Sequence, residues 1–397
     1  MNICIIYQDQ YPWDVRIEKF ADALIKTKHV NEVHILSRNR DNLEKFEQKS
    51  NRLFLHRLPS VKNKIINGAI NFPAFFSLVW IRTISAIIMK RKIDLIVVRD
   101  LPLSPAALFL GAVHKLPVIV DMAENYPAMI SSTWKYRGPK LLDFIIRNPF
   151  LLGYLEKLVC IFARNVIVVS RHSLNRLKKQ CKKANLWVVG NTPNLDYFQS
   201  TTEEGIEHSD QASYKMVYTG YLEAHRGLQT AIHAVAQVVK KVRDFKFIII
   251  GNGTYEPQLR KLSSELGIQE YVIFTGWIPH EEIYDYIGKA EVCIIPHYVT
   301  AHVDTTIPNK IFDYMLKGKP VISTNATALK DIVEETGCGI TYEDRSVEQL
   351  TMAILKYTDP NERKTAGERG RSAVLRKYNW DVDQSILAHA VQKAIIS

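Results

Sequence analysis

The chain has few cysteines and no long uninterrupted apolar run. Its five cysteines are scattered, odd in number and without the paired spacing of a metal site: Cys4, Cys160, Cys181, Cys293 and Cys338. We therefore expect a reducing compartment, of which the cytosol is the simplest. The uncharged run at 65–81 is interrupted by Asn, Gly and Pro, which makes it too short and too broken to span a bilayer.

Several familiar motifs are also missing. The sequence has neither a Gly-x-Ser-x-Gly nucleophile elbow nor a Walker phosphate loop, and no zinc-finger or recognition-helix signature that would indicate a nucleic-acid partner. His297, His302 and Asp304 lie close in sequence but lack the regular spacing of zinc ligands, so we predict no metal site. An apolar strand begins at Ile3, and we therefore expect no signal peptide.

Charge is distributed unevenly over an ordinary globular composition. Of 397 residues, 47% are hydrophobic and 23% are charged, which allows two or three domains with substantial cores. Residues 1–200 carry 30 Lys and Arg against 15 Asp and Glu, a net charge of +15, whereas residues 201–397 carry 22 against 26, a net charge of −4. This asymmetry indicates two domains, and the basic half would be attracted to an anionic membrane surface.

Both halves alternate apolar strands with helical patterns, which is typical of parallel sheets covered on both faces. We therefore predict an α/β fold of two doubly wound domains, with ligands bound beyond the carboxyl ends of the strands. In the first half, the pattern predicts helices at 75–89 and 139–162 and a closing strand at 165–169. The expected division is a first domain at 1–195, a polar linker at 196–213, a second domain at 214–380 and a C-terminal helix at 381–397 that packs back on the first domain.

Two segments of the first half, 72–90 and 141–164, are more apolar than one buried helix face requires, and both carry Lys or Arg. Buried packing between domains is one explanation. An interfacial helix with basic flanks is the other, and the net charge of +15 favours membrane contact slightly.

The segment 308–323 predicts a helix, a stop and a buried strand. Pro308 suits the first turn of a helix, and Gly318 suits its end. Lys310 and Asp313 are three residues apart and so share one helix face. A phosphate would suit Lys310, and a ribose diol would suit Asp313. Free N–H groups at the helix start would add to the attraction for an anion. A solvated ion pair is the plainer alternative, and helix physics alone favours it.

Three further features of the second half follow strand ends. Arg226 stands beside a predicted helix start, where a cation is unfavourable unless an anion is bound; an exposed Arg on a turn is an equal alternative. Gly251 and Gly253 flank a turn at which a backbone can approach a phosphate closely, although a simple turn explains them as well.

In the first half, Asp14 is placed to cap the first helix, and Arg16 lies in the first turn, where a cation again needs an anion. Asp121 follows a strand directly. It is therefore placed either to meet a substrate or to form a turn or cap.

The segment 308–322 resembles the donor-binding signature of glycosyltransferase family 4, whose members are retaining enzymes with the two-domain GT-B fold. Further pieces follow in the family's order, at 11–16, 121–127, 188–194, 218–227, 251–253, 274–278 and Pro296. Each motif alone is loose. Their order and spacing together are specific, and they cover nearly the whole chain.

The resemblance implies roles for particular residues. Arg226 and Lys310 match cations that bind the donor diphosphate, and Asp313 takes the place of the acid, usually Glu, that holds the ribose hydroxyls. The donor-side residues implied are Arg226, Lys310, Asp313, Gly253, Trp277, Ile278, Thr305 and Thr306, with the backbone at Trp277 and Ile278 holding the base. Glu124 and Asp14 are the candidates for orienting the reacting groups, and Arg16 and Asp121 those for the acceptor or phosphate side.

Three positions depart from the family pattern. Thr305 stands where a second Glu is common, Tyr221 replaces an Arg, and Ala123 replaces the His beside Glu124. Because these positions belong to the donor-sugar side, the resemblance does not extend to a particular sugar.

The resemblance implies a retaining glycosyltransferase that transfers a hexosyl or acetylhexosaminyl group. The donor is a UDP-sugar or alternatively a GDP-sugar, and the acceptor is a lipid-linked glycan in cell-surface polysaccharide synthesis. It implies no metal and no cofactor, since the nucleotide sugar is a substrate, and a peripheral position on the inner face of the plasma membrane. Two alternatives stay open: a nucleotide-sugar 2-epimerase of the same architecture, and a non-catalytic, membrane-associated nucleotide-binding protein.

Overall fold

The computed structural model describes residues 1–12, 14–72, 75–139, 141, 143–195 and 214–396. The chain divides into two compact units: unit 1 comprises Met1–Gly190 with Asp381–Ser397, and unit 2 comprises Asn191–Trp380. The predicted linker at 196–213 lies outside the described residues. Each unit is described by itself below.

The described strands of unit 1 form one eight-stranded sheet in the order β3-β4-β2-β1-β5-β6-β7-β8, parallel except for β3. Strands β1 and β5 are buried on both faces, as expected for a parallel sheet with helices on each side. The strands are β1 (Asn2–Ile6), β2 (Glu32–Ser37), β3 (Phe46–Gln48), β4 (Leu53–Arg57), β5 (Leu95–Arg99), β6 (Val118–Met122), β7 (Asn165–Val168) and β8 (Asn185–Val188).

The helices of unit 1 follow the strands in the predicted alternation. Trp80 is fully buried and belongs to a core cluster that contains residues of the sheet and of five helices, α3, α4, α5, α7 and α8. The helices are α1 (Val15–Lys26), α2 (Lys64–Ile70), α3 (Leu78–Arg91), α4 (Ser104–His114), α5 (Tyr126–Arg137), α6 (Asp143–Ile146), α7 (Pro149–Phe162) and α8 (Arg171–Lys178).

Unit 2 contains a six-stranded, fully parallel sheet in the order β11-β10-β9-β12-β13-β14. Its strands are β9 (Tyr214–Thr219), β10 (Phe245–Ile250), β11 (Val272–Gly276), β12 (Val292–Ile295), β13 (Val321–Thr324) and β14 (Gly339–Tyr342). A short 3₁₀ turn, Ala224–Arg226, precedes the first helix. The helices are α9 (Leu228–Val238), α10 (Glu256–Glu265), α11 (His280–Gly288), α12 (Lys310–Leu316), α13 (Thr327–Thr336), α14 (Val347–Lys356) and α15 (Pro360–Arg376).

The final helix, α16 (Trp380–Ile396), belongs almost wholly to unit 1. The ring of His389 meets Trp187 of β8 edge-on, with their centroids 5.1 Å apart. Aromatic edge-to-face contacts of this kind add to the burial of the helix against the sheet edge.

The structure corrects the helical segment predicted at 139–162. Helices α6 and α7 replace the single long helix, and α5 lies wholly before the predicted segment. Asn148 begins a new helix, since its side chain accepts hydrogen bonds from the backbone N–H groups of Phe150 and Leu151, and Pro149 occupies the first helical position. The other first-half helix begins at Leu78, three residues later than predicted, and β8 shows that the strand at 165–169 does not close the series.

A second correction concerns the donor-signature helix. Helix α12 begins at Lys310 rather than Pro308, whose carbonyl instead accepts a hydrogen bond from Ile311 N. The helix has seven residues, so its dipole is small. The side chains, rather than the free N–H groups, must therefore provide most of any attraction for an anion. Seven of the described elements were not predicted from the sequence: α2, β3, α5, α8, β8, α13 and β14.

Cysteine pairing also differs from the expectation of scattered thiols in a reducing compartment. Cys160 of α7 and Cys181 are joined in a disulfide, whereas Cys4, Cys293 and Cys338 are free and buried. Among the helices that the structure describes, none is long and apolar enough to cross a membrane.

Candidate functional site

The carboxyl edge of the unit 2 sheet is organised by a contact between α12 and β9. The hydroxyl of Tyr314 accepts a hydrogen bond from Thr219 N at 3.0 Å and lies 3.1 Å from the Thr219 hydroxyl. Tyr314 is fully buried, so this contact fixes the helix against the end of the strand. The start of α12, and with it Lys310, is thereby held beside the turn that follows β9.

Lys310 is a cation without a carboxylate partner. Its Nζ lies 4.1 Å from the centre of the Tyr218 ring, and among the described residues it makes no ion pair with Asp313 or with any other acid. Burial, followed by the charge of Arg226, lowers its pKa well below the usual value. A Cβ at Gly220 would lie 2.7 Å from Lys310 Nζ, so this glycine leaves room for the ammonium group. The ion-pair alternative for Lys310 and Asp313 is therefore not what the structure shows.

Arg226 ends the 3₁₀ turn and lies next to a second basic group rather than an acid. Its Nη1 is 3.4 Å from the ring nitrogens of His297, and its Nε is buried without a hydrogen-bond partner among the described residues. Burial, followed by Arg226 and Lys310, lowers the pKa of His297 well below its usual value, which keeps the imidazole neutral. Two cations and a buried neutral imidazole thus converge at one edge of the sheet.

The glycines at 251 and 253 have a clear packing role. A Cβ at Gly251 would lie 2.1 Å from the carbonyl oxygen of Gly220, and one at Gly253 would lie 2.1 Å from that of Leu222. The turns after β9 and β10 can therefore pack directly on each other, and Leu222 N donates to Asn252 O across them. This supports the simple-turn explanation without excluding a nearby phosphate.

Asp313 is held by a tyrosine that sequence analysis did not single out. The hydroxyl of Tyr284, on α11, donates to Asp313 Oδ1 at 3.4 Å. Burial, followed by the Asp313 charge, raises the pKa of Tyr284, so the phenol stays protonated and remains a donor. Tyr284 therefore orients the carboxylate expected to meet the ribose.

The other donor-side residues occupy loops at the same sheet edge. Trp277 follows β11 and is 72% exposed, whereas Ile278 packs on the core of unit 2. The hydroxyls of Thr305 and Thr306 both donate to the carbonyl of His302. The two threonines therefore stabilise their own turn, and their oxygens keep acceptor capacity.

The histidine-rich loop is held in place through Asp304. Asp304 accepts hydrogen bonds from the N–H and hydroxyl of Thr327, at the start of α13. Across the described ranges, no group of three or more His, Cys, Asp or Glu side chains is arranged to hold a metal ion.

In unit 1, Arg16 binds a carboxylate of the protein itself, which compensates for the unfavourable position of a cation in the first turn of α1. Its Nε and Nη2 donate to the two carboxylate oxygens of Asp121 at 2.8 and 2.7 Å, and Nη1 donates to the carbonyls of Val189 and Gly190 at 3.0 Å. Both charged side chains are almost completely buried. The bidentate pair joins α1, β6 and the end of the sheet.

Arg99, which sequence analysis missed, completes this network. It donates to Asp121 Oδ2 at 3.1 Å and to Asp14 Oδ2 at 3.2 Å. Burial alone would raise the pKa of Asp121, but Arg16 and Arg99 hold it below the usual value. Asp121 thus binds two arginines and is buried. It has neither the turn role nor the cap role that the sequence suggested.

Asp14 caps α1, accepting from Arg16 N at 2.8 Å and Ile17 N at 3.3 Å. Its other oxygen binds Arg99. Glu124 follows β6, is only partly buried and lies close enough to Arg99 to raise the pKa of that guanidinium.

Asp100 is a second residue missed by sequence analysis. It follows β5, has a left-handed backbone with φ of 61°, and its Oδ1 is buried without a hydrogen-bond partner among the described residues. Burial raises its pKa to about 7, with Glu124, Asp121 and Asp14 adding to the shift against the opposing effect of Arg99. Only its position after an apolar strand, in the pair Arg99-Asp100, could have indicated it from sequence.

Residues 213–359 match the protein-family model described as "Glycosyl transferases group 1". This segment is similar to that family, and it is called the group 1 domain below. This domain contains every donor-side residue predicted above, from Arg226 to Asp313.

Curated relatives of the group 1 domain are bacterial glycosyltransferases. A GDP-mannose-dependent alpha-(1-6)-phosphatidylinositol monomannoside mannosyltransferase of Mycobacterium tuberculosis is 27% identical over 170 residues, which are 42% of this chain and 44% of the relative. The putative colanic acid biosynthesis glycosyltransferase WcaL of Escherichia coli is 25% identical over 181 residues, 45% of each chain. The chain thus covers less than half the length of these relatives.

Solved structures match the fold over the whole chain. Sucrose-phosphate synthase from Thermosynechococcus elongatus superposes with a TM-score of 0.78 at 17% identity, covering 100% of this chain and 99% of the other. HepE from Anabaena in complex with UDP superposes with a TM-score of 0.71 at 14% identity, covering 99% and 100%. The chain that carries the group 1 domain has the GT-B fold, as predicted.

Proposed function

We propose that this chain is a metal-independent, retaining glycosyltransferase that moves a sugar from a nucleoside diphosphate donor to a glycan acceptor of cell-surface polysaccharide synthesis. The observation that carries the proposal is the pair of cations, Lys310 and Arg226, at the carboxyl edge of the unit 2 sheet, neither of which forms an ion pair with an acid among the described residues. A diphosphate supplies the missing negative charge.

The side chains around this pair fit the rest of a nucleotide. Asp313, oriented by Tyr284, offers an acceptor for the ribose hydroxyls, and the exposed indole of Trp277 lies at the end of β11, where the base is expected. Thr305 and Thr306 stand on the loop expected to meet the donor sugar. A UDP-sugar is favoured because a structural neighbour of this fold holds UDP, while a GDP-sugar has the support of the mycobacterial relative.

The chemistry needs negative charge to be stabilised on the departing diphosphate as the sugar–oxygen bond breaks. Preorganised cations supply this most effectively where water is excluded. Lys310 and Arg226 perform this role without a metal or a cofactor. Glu124 or Asp14 orients the acceptor hydroxyl or the donor sugar, and no enzymic nucleophile is assigned.

A nucleotide panel tests the donor site. Thermal unfolding is measured with UDP, GDP, ADP and TDP and their sugars, and one base should raise Tm. Lys310→Ala and Arg226→Ala should each abolish that rise, whereas Lys330→Ala, which removes an exposed cation paired with Glu334, should leave it unchanged. An unaltered rise in both site variants would show that the diphosphate does not bind here.

An acceptor-free assay with the donor that binds separates the remaining functions. A transferase should leave the sugar configuration of the donor unchanged and need an added glycan for turnover. Release of a free epimerised nucleotide sugar would indicate the 2-epimerase, and binding without turnover under either condition would indicate a non-catalytic protein.

A lipid-linked acceptor is proposed because one helical side of unit 1 is both apolar and basic. Large apolar side chains are exposed on α3, α4 and α7, and they include Phe150 at 88% and Phe162 at 68%. The exposed charges on these helices are Arg82, Lys90 and Lys157, while the acid of α7, Glu156, is buried against Arg176. An anionic lipid surface matches this combination of apolar and basic groups.

Vesicle flotation tests the membrane proposal. The protein should bind vesicles rich in phosphatidylglycerol at low salt. It should be released at 1 M salt, because the Debye length there is only about 3 Å. Phe150→Ser combined with Phe162→Ser should reduce binding, and Met352→Ser, which changes an exposed apolar residue of unit 2, should not. No binding of the wild-type protein at low salt would remove the proposal.

A further inference from the structure

A cavity of about 450 Å³ opens in unit 1 where the parallel, neighbouring strands β1 and β2 end. It lies at the carboxyl edge of the sheet, where folds of this class bind ligands, and its volume falls within the roughly 300–1,000 Å³ of small-molecule sites. Every residue that lines it carries a polar group: Tyr7, Asp9 and Gln10 after β1, and Arg40 and Asp41 after β2. The lining therefore suits a polar ligand.

The lining side chains hold one another in place by direct contacts. Arg40 Nη2 binds Asp9 Oδ1 at 2.7 Å, and the backbone N–H of Arg40 donates to Gln10 Oε1 at 3.3 Å. Gln10 Nε2 donates to Asp41 Oδ2 at 2.6 Å. Gln10 is only 9% exposed, so its buried amide joins the loop after β1 to the loop after β2 and orients the carboxylate of Asp41.

Buried asparagines anchor the loop that carries Arg40 and Asp41. The backbone N–H of Asn39 donates to Asn71 Oδ1 at 2.8 Å, and Asn67 Nδ2 donates to the Asn39 carbonyl at 2.8 Å. All three asparagines are almost completely buried. Because satisfied polar networks of this kind specify one conformation, the cavity is formed before any ligand arrives.

Three of the lining groups keep hydrogen-bonding capacity. Tyr7 is only 8% exposed, yet its hydroxyl makes no hydrogen bond within the part of the chain that the structure describes. Burial, followed by the charge of Asp14, raises the pKa of Tyr7, so the hydroxyl keeps its proton and can donate. Asp9 and Asp41 each accept hydrogen bonds on one oxygen only, which leaves the second oxygen of each carboxylate as an acceptor.

The balance of charge in the lining is negative. Asp9 and Asp41 supply two negative charges against the single positive charge of Arg40, so a phosphate or carboxylate group would be repelled. A sugar hydroxyl both donates and accepts, and it therefore matches the free carboxylate oxygens as well as the Tyr7 hydroxyl.

We propose that this cavity binds an uncharged sugar residue of the acceptor through its hydroxyl groups. Neighbouring hydroxyls of the sugar donate to the free oxygens of Asp9 and Asp41, and the Tyr7 hydroxyl donates to a sugar oxygen. The inference rests on the proposed transferase function, because it assigns the chemical class of the acceptor group that unit 1 binds.

Calorimetric titration of the full chain, with and without excess UDP, tests the cavity. The methyl glycosides of glucose, galactose, mannose and N-acetylglucosamine represent uncharged sugars, and we expect at least one of them to bind. Tyr7→Phe should weaken that binding about two- to tenfold, and Asp41→Ala at least about tenfold, because the carboxylate makes the stronger hydrogen bond. Asp41→Asn should recover part of the loss, since it keeps one acceptor oxygen. The 6-phosphate of the sugar that binds should bind at least about threefold more weakly.

Glu44→Ala is the matched control, because it removes an exposed acid from the same loop without changing the lining. It should alter sugar binding less than twofold. Failure of all four glycosides to bind the wild-type protein, wild-type affinity in both Tyr7→Phe and Asp41→Ala, or tighter binding of the 6-phosphate would overturn the proposal. The nucleotide-induced rise in Tm tests the donor site separately, since Asp41→Ala should leave that rise unchanged, and equal melting temperatures of the variants without ligand exclude misfolding.

Discussion

The carboxyl edges of the two sheets differ in whether their buried cations are paired with carboxylates. In unit 1, Arg16 and Arg99 converge on Asp121, so that buried cations and carboxylates satisfy one another. In unit 2, Lys310 lies over an aromatic ring and Arg226 lies beside a histidine, and neither forms an ion pair with a carboxylate in the part of the chain that the structure describes. Paired charges hold elements together, whereas unpaired charges retain capacity for a ligand.

Overall charge would have suggested the reverse. Residues 1–200 carry a net charge of +15 and residues 201–397 a net charge of −4, yet the cations left unpaired beneath the proposed donor lie in the acidic half. The local arrangement of acids, rather than the net charge of a domain, decides which edge accepts an anion.

The comparison is tested most strongly by removing the shared carboxylate of unit 1. Asp121→Ala should lower the free energy of unfolding by about 3–5 kcal/mol, because it leaves Arg16 and Arg99 buried with one acid fewer. Urea unfolding, followed by hydrogen exchange of peptides from each unit, would measure it. Glu256→Ala, which breaks an exposed pair with Arg260, should cost under about 0.5 kcal/mol. A loss below about 1 kcal/mol for Asp121→Ala would contradict a structural role for the pair.

Asp100 gives a pH-dependent test of the same network. Burial raises its pKa to about 7, whereas the unfolded chain ionises near 3.8, so the folded state binds the proton more tightly and loses stability as pH rises between these values. Asp100→Asn removes this loss. The free energy of unfolding of the variant, minus that of the wild type, should therefore increase by about 2–3 kcal/mol between pH 5 and pH 7 and change little above pH 8. A difference independent of pH would show that Asp100 is ionised throughout.

The fold was predictable because its signals are local, and the site was predictable only in part. Alternating apolar strands and helices gave the two parallel sheets, and the helix at 15–26 with its Asp14 cap followed from residue type. The partners of Arg16 could not be read from sequence, since Asp121 and Gly190 lie more than 100 positions away. The role of Tyr284 likewise depends on a tertiary contact, with Asp313. The break at Asn148, in contrast, has a local cause that the periodicity does not report, since Asn148 caps a new helix and Pro149 occupies its first position.

Replacing Lys310 should change the free energy of unfolding in the direction opposite to replacing Asp121. Burial and Arg226 lower its pKa, so the charged side chain is unfavourable in the folded state, and Lys310→Met should raise the free energy of unfolding by about 1 kcal/mol. The same variant should lose the nucleotide-induced rise in Tm. Thermal unfolding with and without nucleotide measures both effects. A destabilised Lys310→Met would mean that the lysine is structural, as Asp121 is.

The smallest expected effect concerns the orientation of Asp313. Tyr284→Phe removes the hydroxyl that donates to Asp313 Oδ1 and should weaken UDP binding by about two- to fivefold, the equivalent of about 0.5–1 kcal/mol for one hydrogen bond. Binding of 2′,3′-dideoxy-UDP should be the same for the variant and the wild type, because that ligand lacks the hydroxyls that Asp313 would hold. Equal weakening for both nucleotides, measured by calorimetry, would mean that Tyr284 supports the fold of the site rather than the orientation of the carboxylate.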